Sequence, residues 1–230
     1  MIPIFRPRKY KAVIFDLFDT LVPSPRSDVW DRMADRMGAP KSMFRELWRR
    51  DARARTEGKL TFEESLERFC AEAGMTVTSE VMADLKEIRL QAVRESLASP
   101  LDTTVETLDA IRERGFRTAL LSNCSEEVPL AWAESGLERW MDAVVFSCLE
   151  KVAKPDALAF WRVCERLEVS PAECVFIGDG NDNELTGAAS LGLTPVQILT
   201  SRAPQYVAHY HIGRLEEVLT FLGYPHQQDD

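Results

Sequence analysis

The stretch Lys11–Leu21 constrains the fold more than any other part of the chain. Its apolar run Ala12–Phe15 leads directly into Asp16, and a second carboxylate, Asp19, follows three positions later. A continuous run rich in β-branched and aromatic residues is typical of a strand buried on both faces of a sheet. Asp16 would then lie at the carboxyl end of that strand, where ligands bind in open parallel sheets. The simpler interpretation is that Asp16 and Asp19 are turn or cap residues closing a core strand.

Strands and helices alternate over the second half of the chain, which predicts an α/β fold with a parallel sheet and right-handed crossovers. The alternation predicts an edge strand near Tyr206–His211 and a final helix from about Leu215 to Leu222. The other strand-like runs are Arg117–Leu121, Ala143–Phe146, Cys174–Ile177 and Pro195–Leu199. The segment from Ser147 to Pro155 reads as a loop.

The gap of roughly a hundred residues between Asp16 and Arg117 is too long for one helical crossover, which needs about a dozen residues. Apolar residues at helical spacing predict four helices in this gap, one of them opened by a capping box at Thr61. We therefore expect a core formed by residues 1–21 and 100–230, with residues 22–99 inserted as a helical domain. Arginines on the second helix read as a solvated face, with contact to an anionic substrate as the alternative: Arg45, Arg49, Arg50, Arg53 and Arg55.

Composition excludes some partner classes. The net charge of −9 over 230 residues argues against a nucleic-acid backbone, but local cations or a metal would still admit a phosphorylated small molecule. The five cysteines lack zinc-type spacing and read as core residues in a reducing compartment. No apolar run has the length of a membrane span or a signal peptide, so we expect a cytoplasmic protein without a membrane partner.

Polar side chains follow several of the predicted strands. Asp16, Ser122, Asn123 and Asp179 follow strands directly, and Lys154 lies in a loop after a strand, so all should meet at one sheet edge. A carboxylate there can attack phosphorus, while a hard cation such as Mg²⁺ screens the phosphoryl charge. Ser122 can hold a phosphoryl oxygen and Lys154 can neutralise charge.

At these positions the chain resembles the haloacid dehalogenase-like hydrolase superfamily. The matching motifs are Asp16-Leu17-Phe18-Asp19-Thr20-Leu21, Leu121-Ser122-Asn123, Lys154-Pro155-Asp156 and Gly178-Asp179 with downstream acids. The resemblance implies a Rossmann-like core with a mobile helical cap, and Asp16 as nucleophile. It implies catalytic residues Asp16, Asp19, Ser122 and Lys154, substrate-binding residues Ser122, Asn123 and Lys154, and Mg²⁺ at Asp16, Phe18, Asp179 and Glu184.

Two positions depart from the family pattern. Phe18 stands where the family's phosphatases usually carry an Asp as general acid and base, a group worth about 10²–10⁴ in rate. Asp19 either substitutes for it or stabilises the turn. Asn183 stands where an acid is usual, and Glu184 or Asp182 can take its role. An EF-hand interpretation of this loop fails because the glycine and closing glutamate are missing.

The sequence thus favours a Mg²⁺-dependent phosphatase that hydrolyses a small phosphorylated metabolite through an aspartyl-phosphate on Asp16. A metal-independent 2-haloacid dehalogenase is the first alternative, because dehalogenases also carry an aromatic residue at the Phe18 position. A catalytically weak phosphate-binding protein is the second. Asp179 and the acids behind it favour phosphoryl chemistry, since the dehalogenases use no metal.

Overall fold

The computed structural model describes residues 9–199, 208 and 210–223, and a six-stranded parallel sheet lies at its centre. The strand order is β3-β2-β1-β4-β5-β6, so β1 lies in the middle, paired with β2 and β4. The α/β fold predicted from the sequence is confirmed. The strands are β1 (Ala12–Phe15), β2 (Arg117–Ser122), β3 (Ala143–Phe146), β4 (Cys174–Gly178), β5 (Thr194–Ile198) and β6 (Tyr210–Ile212).

Both faces of the sheet are covered by helices. Val13 and Phe15 of β1 pack into one hydrophobic cluster, Ala12 and Ile14 into another, and all four side chains are fully buried. The continuous apolar run of β1 is explained by this two-sided burial. The flanking helices are α6 (Thr104–Glu113), α7 (Glu127–Trp132), α8 (Ser147–Glu150), α9 (Ala157–Arg166), α10 (Glu184–Leu191) and α11 (Val218–Leu222).

The helices between β1 and α6 bury a hydrophobic cluster of their own. Its centre is aromatic: Phe44 stacks on Trp48 with ring centroids 5.6 Å apart, and Phe62 and Phe69 meet these rings edge-on. The predicted capping box at Thr61 is confirmed. These helices are α1 (Val29–Met37), α2 (Lys41–Arg50), α3 (Ala52–Thr56), α4 (Phe62–Ala73) and α5 (Ser79–Leu97). Their separate core agrees with an inserted domain, and the boundaries at 22 and 99 stay a prediction.

Three local predictions need correction. The second of the four predicted helices is divided into α2 and α3, because the backbone turns at Asp51 (φ −90°, ψ 3°). The predicted loop after β3 begins with the short helix α8. The last strand begins at Tyr210, while residues 206, 207 and 209 lie outside the described residues, as do the final residues 224–230.

The helical insert packs against the core at α5 and at Gly58, among other contacts. Helix α5 packs along α7, and Gly58 lies so close to the core that a Cβ there would be 2.0 Å from the carbonyl oxygen of Cys148. The points at which the chain enters and leaves the insert are adjacent, because the Leu101 N–H donates to the carbonyl of Leu21 at 2.9 Å. All five cysteines are buried, as predicted. No helix of the described residues is long and apolar enough to cross a membrane.

Candidate active site

Asp16 directly follows β1 and therefore lies at the carboxyl edge of the sheet. Its backbone N–H donates to the carbonyl of Ile177 at 2.9 Å, which fixes Asp16 beside the end of β4. Its side chain is 12 % exposed, and the Thr20 hydroxyl lies 3.5 Å from Oδ2. Ser122 ends the neighbouring strand β2, and Asp179 directly follows β4. The strand ends therefore place Asp16 between Ser122 and Asp179.

Lys154 bridges two carboxylates. Its ammonium donates to Asp16 Oδ1 and, at 2.5 Å, to Glu184 Oε2, and the side chain is only 2 % exposed. The ammonium also lies 5.5 Å from the ring centroid of Phe176. Burial alone would lower the pKa of Lys154, but the charges of Asp16 and Glu184 hold it above its ordinary value. Lys154 is therefore a fixed cation beside Asp16.

Two glycines allow Glu184 and Lys154 to meet. A Cβ on Gly178 would lie 2.0 Å from Glu184 Oε1, and a Cβ on Gly187 would lie 2.5 Å from the carbonyl oxygen of Pro155. Side chains at these positions would push Glu184 out of the site and α10 away from the Lys154 loop. Sequence analysis included Gly178 in a motif without assigning it this packing role, and it missed Gly187. The available signal was Gly187 inside a helix, where glycine is unfavourable without a packing reason.

Carboxylates outnumber cations in the buried cluster. Oxygens of Asp16, Asp179 and Glu184 lie within 4.8 Å of one another, and Lys154 is the cation that contacts two of them. Burial raises the pKa of Asp179 to about 6, with the nearby charges of Asp16 and Asp19 adding to the shift. Burial likewise raises the pKa of Glu184 to about 8, although Lys154 opposes the shift. When all three carboxylates are ionised, the cluster therefore holds more negative charge than Lys154 neutralises.

Asn123 acts as a brace in this structure. Its side-chain oxygen accepts from the Lys154 N–H at 2.8 Å, and its amide donates to the Lys154 carbonyl at 3.0 Å and to Asp182 Oδ2 at 2.8 Å. These contacts position Lys154 and draw Asp182 away from the carboxylate cluster. By contrast, the Ser122 hydroxyl is buried and has no hydrogen-bond partner among the described residues, which leaves it available to a ligand.

The contacts of the Phe18 and Asp19 side chains do not favour a role in proton transfer. Phe18 packs against the core cluster, so its backbone carbonyl is the only oxygen it can offer to a metal. Asp19 adopts a left-handed conformation (φ 58°), and its carboxylate accepts from the N–H and the hydroxyl of Ser24 at 3.0 and 2.7 Å. These contacts favour the turn-stabilising interpretation of Asp19.

The arrangement of these motifs matches a known family model. Residues 10–192 match the model for haloacid dehalogenase-like hydrolases. The chain belongs to this family. As a haloacid dehalogenase-like hydrolase it has solved structural neighbours of the same fold. The crystal structure of a HAD phosphatase from Thermococcus onnurineus superposes with a TM-score of 0.70, at 24% identity over 93% of this chain and 98% of that one.

Curated relatives of this hydrolase carry out different reactions. The chain is 30% identical to (S)-2-haloacid dehalogenase 4A of Burkholderia cepacia, over 82% of both proteins. It is 25% identical to the glyceraldehyde 3-phosphate phosphatase of Methanopyrus kandleri, over 91% of this chain and 95% of that protein. It is also 29% identical to mouse acyl-CoA dehydrogenase family member 10, of which the match spans only 18%. Both phosphatases and dehalogenases are thus among the relatives of this hydrolase.

The residues of the cluster fit the Mg²⁺ that phosphatases of this family use. Carboxylate oxygens are the ligands that Mg²⁺ prefers, at about 2.0–2.1 Å, which places neighbouring ligand atoms roughly 3–4 Å apart. The oxygens of Asp16, Asp179 and Glu184 already lie within 4.8 Å of one another. A divalent cation would also balance the excess of buried negative charge.

Proposed function

We propose that this hydrolase is a Mg²⁺-dependent phosphatase of a small phosphorylated metabolite, acting through an aspartyl-phosphate on Asp16. The observation that carries the proposal is the buried excess of carboxylates, formed by Asp16, Asp179 and Glu184 around one lysine. Two further buried acids beside the nucleophile supply the oxygen ligands that a metal-dependent reaction requires. Their burial is costly unless a cation compensates it.

The roles of the chain's own residues follow from their contacts. One carboxylate oxygen of Asp16 attacks phosphorus, the bond to the leaving oxygen breaks, and water later hydrolyses the acyl-phosphate. Lys154 holds the other oxygen and reduces the repulsion between the nucleophile and the phosphoryl group. The Ser122 hydroxyl donates to a phosphoryl oxygen, and Asn123 keeps Lys154 in place. Bound Mg²⁺ would supply charge screening and orientation of the phosphoryl group.

Neither Phe18 nor Asp19 is arranged to donate a proton to the leaving group. Phe18 has no proton to donate, and the Asp19 carboxylate is engaged by Ser24. We therefore expect the rate to depend strongly on the acidity of the leaving group, with aryl phosphates cleaved faster than alkyl phosphates. A rate independent of leaving-group pKa would show that some other side chain serves as the general acid.

A 2-haloacid dehalogenase is the second candidate, and two observations favour it. Phe18 is aromatic, and the dehalogenase of Burkholderia cepacia is 30% identical over 82% of the chain. In that reaction the Asp16 carboxylate would displace halide from carbon, forming an ester that water hydrolyses.

One assay separates the candidates. Phosphate release from 4-nitrophenyl phosphate and a panel of metabolites is measured with Mg²⁺ and with EDTA, beside chloride release from 2-chloropropionate. The proposal predicts phosphate release that requires Mg²⁺ and no chloride release. Metal-independent chloride release would establish the dehalogenase instead. Phosphate binding without release of either product would indicate a phosphate-binding protein.

A further inference from the structure

The helical insert contains a cavity of ≈ 390 Å³ that faces the core. This volume lies within the range of about 300–1,000 Å³ that is typical of small-molecule sites. Its lining includes Ser125 of the core and, from the insert, Trp48, Arg49, Arg55 and Arg89. We call this space the arginine cavity.

Arg55 is buried in a way that a solvated helix face does not explain. It is 6 % exposed, its guanidinium lies 3.9 Å from the ring centroid of Trp48, and Nη2 donates to the Trp48 carbonyl at 2.7 Å. Nη1 is buried and has no hydrogen-bond partner among the described residues. The solvated-face interpretation is therefore wrong for Arg55. The burial of Arg55 depends on the turn at Asp51 between α2 and α3, which a single helical pattern does not reveal.

Positive charge is in excess in the arginine cavity. Two of its lining arginines have acidic partners, since Arg45 pairs with Asp31 at 2.8 Å and Arg89 lies 3.4 Å from Glu127. Arg49 and Arg55 have no ion pair within the described part of the chain. Burial lowers the pKa of Arg55 to about 10, although the nearby charge of Glu127 opposes the shift.

Aromatic rings form the apolar part of the lining of the arginine cavity. The ring centroids of Trp30 and Trp48 are 6.0 Å apart, and the Arg89 guanidinium lies 4.9 Å from the Trp30 ring. Indole faces stacked with guanidinium groups bind flat or apolar carbon skeletons as well as charge. The arginine cavity therefore suits an anionic group attached to such a skeleton.

The arginine cavity lies within reach of the catalytic edge. Ser125 lines it and follows Ser122 by three residues, so their Cα atoms are at most about 11 Å apart. A single small molecule can span this distance. We infer that the arginine cavity binds a second anionic group of the substrate, a carboxylate or phosphate on an apolar or aromatic skeleton. The position of the first group, a phosphoryl at Asp16, rests on the proposed function.

Binding without turnover tests this inference independently of catalysis. The probes are benzylphosphonate and 4-(phosphonomethyl)benzoate, titrated calorimetrically in Mg²⁺ into the full chain. The second carries an added carboxylate, and we expect it to bind about 10- to 100-fold more tightly, the range expected of a charge-assisted hydrogen bond. Arg55→Met should remove most of this preference. Equal affinity of the wild-type chain for both probes would overturn the inference.

Two further variants keep the test interpretable if Arg55→Met fails to fold. Arg49→Met changes an exposed arginine of the arginine cavity and should also reduce the preference. Arg139→Met is the matched control, because Arg139 also stacks on a tryptophan, 3.8 Å from the Trp140 ring centroid, but does not line the arginine cavity. An equal loss of preference in Arg139→Met would contradict the assignment.

A kinetic comparison identifies the second anionic group. Relative kcat/KM for phenyl phosphate, 4-carboxyphenyl phosphate and 1,4-phenylene bisphosphate is measured in wild type and Arg49→Met. The wild-type-to-variant ratio cancels intrinsic differences between leaving groups, and the probe with the largest ratio carries the preferred group. Equal ratios for all three would contradict the inference. If no ester is hydrolysed but the phosphonate preference depends on Arg49 and Arg55, the proposed function fails and the cavity assignment stands.

Discussion

The sheet edge around Asp16 and the arginine cavity of the insert concentrate opposite charges. At the sheet edge, three buried carboxylates share one lysine, whereas in the arginine cavity Arg49 and Arg55 lack an acidic partner among the described residues. Each region carries buried charge that its ion pairs do not fully balance, namely the excess carboxylates at the sheet edge and Arg55 in the arginine cavity. Such charge is costly in a folded protein unless a ligand compensates it.

The difference in charge indicates that the two regions have different roles. The sheet edge suits a cation that in turn attracts a phosphoryl group, and the arginine cavity suits an anion directly. The backbone holds the first region rigidly at strand ends, while helix packing forms the second against the core at Ser125. We therefore propose that the sheet edge carries out the chemistry and that the insert determines selectivity, and the predictions below separate these two contributions.

The largest effect should come from Asp16→Asn. An amide cannot form the acyl-phosphate, so we expect kcat to fall by about 10⁴-fold or more. The arginine cavity should keep its preference for 4-(phosphonomethyl)benzoate over benzylphosphonate, because Asp16 does not line it. Asp102→Asn, at an exposed position, serves as the control. Activity close to wild type in Asp16→Asn would show that the nucleophile is misassigned.

Lys154→Met should weaken both catalysis and folding. At pH 8.5, above the pKa of Glu184, removing the ammonium leaves Asp16 and Glu184 buried without their cation, which should lower the free energy of unfolding by about 3–5 kcal/mol. Added Mg²⁺ should restore more stability to this variant than to wild type, as measured by thermal unfolding. Lys41→Met, which removes an exposed partner of Asp35, should change little. Unchanged stability in Lys154→Met would mean that the carboxylates are not ionised together.

The pH dependence of Mg²⁺ binding should follow the buried acids. The pKa of Asp179 is about 6 and that of Glu184 about 8, and a protonated carboxyl is a poor ligand. Affinity measured by calorimetry should therefore rise as the pH increases from 5 to 8.5. Glu184→Gln should flatten the upper part of this rise and weaken binding, whereas Glu106→Gln, on the exposed face of α6, should do neither. A flat profile in wild type would exclude these residues as ligands.

The smallest effect should come from Asp19→Asn. The Asp19 carboxylate accepts two hydrogen bonds from Ser24, and an amide oxygen preserves one of them, so kcat should stay within about twofold of wild type. The pH–rate profile provides a second measurement. A loss of two orders of magnitude or more, together with a lost limb of that profile, would restore Asp19 as the general acid.

The sheet edge could be predicted from the sequence because strand ends fix its residues. Asp16, Ser122 and Asp179 each directly follow or end a buried apolar run, and parallel winding brings such ends together. The role of Asn123 could not be predicted, because it depends on where the Lys154 loop runs relative to β2. Both members of the Glu184–Lys154 contact also depend on close packing at Gly178 and Gly187.

The arginine cavity was harder to predict for a different reason. A charged run on a helix usually faces water, and Arg50 and Arg53 do so in pairs with Glu72 and Glu57. Arg55 differs only by its position relative to Trp48 and by the turn at Asp51, and both effects are tertiary. Helix faces inside an insert are specified by packing partners that a single helical pattern does not reveal.

The most direct test of the account is the metal dependence of the first product formed. Phosphate release from 4-nitrophenyl phosphate is followed while Mg²⁺ is titrated into EDTA-treated protein, with chloride release from 2-chloropropionate followed in parallel. The account predicts phosphate release that saturates with Mg²⁺, disappears in Asp16→Asn, and is accompanied by no chloride. Chloride release in EDTA that depends on Asp16 would contradict it.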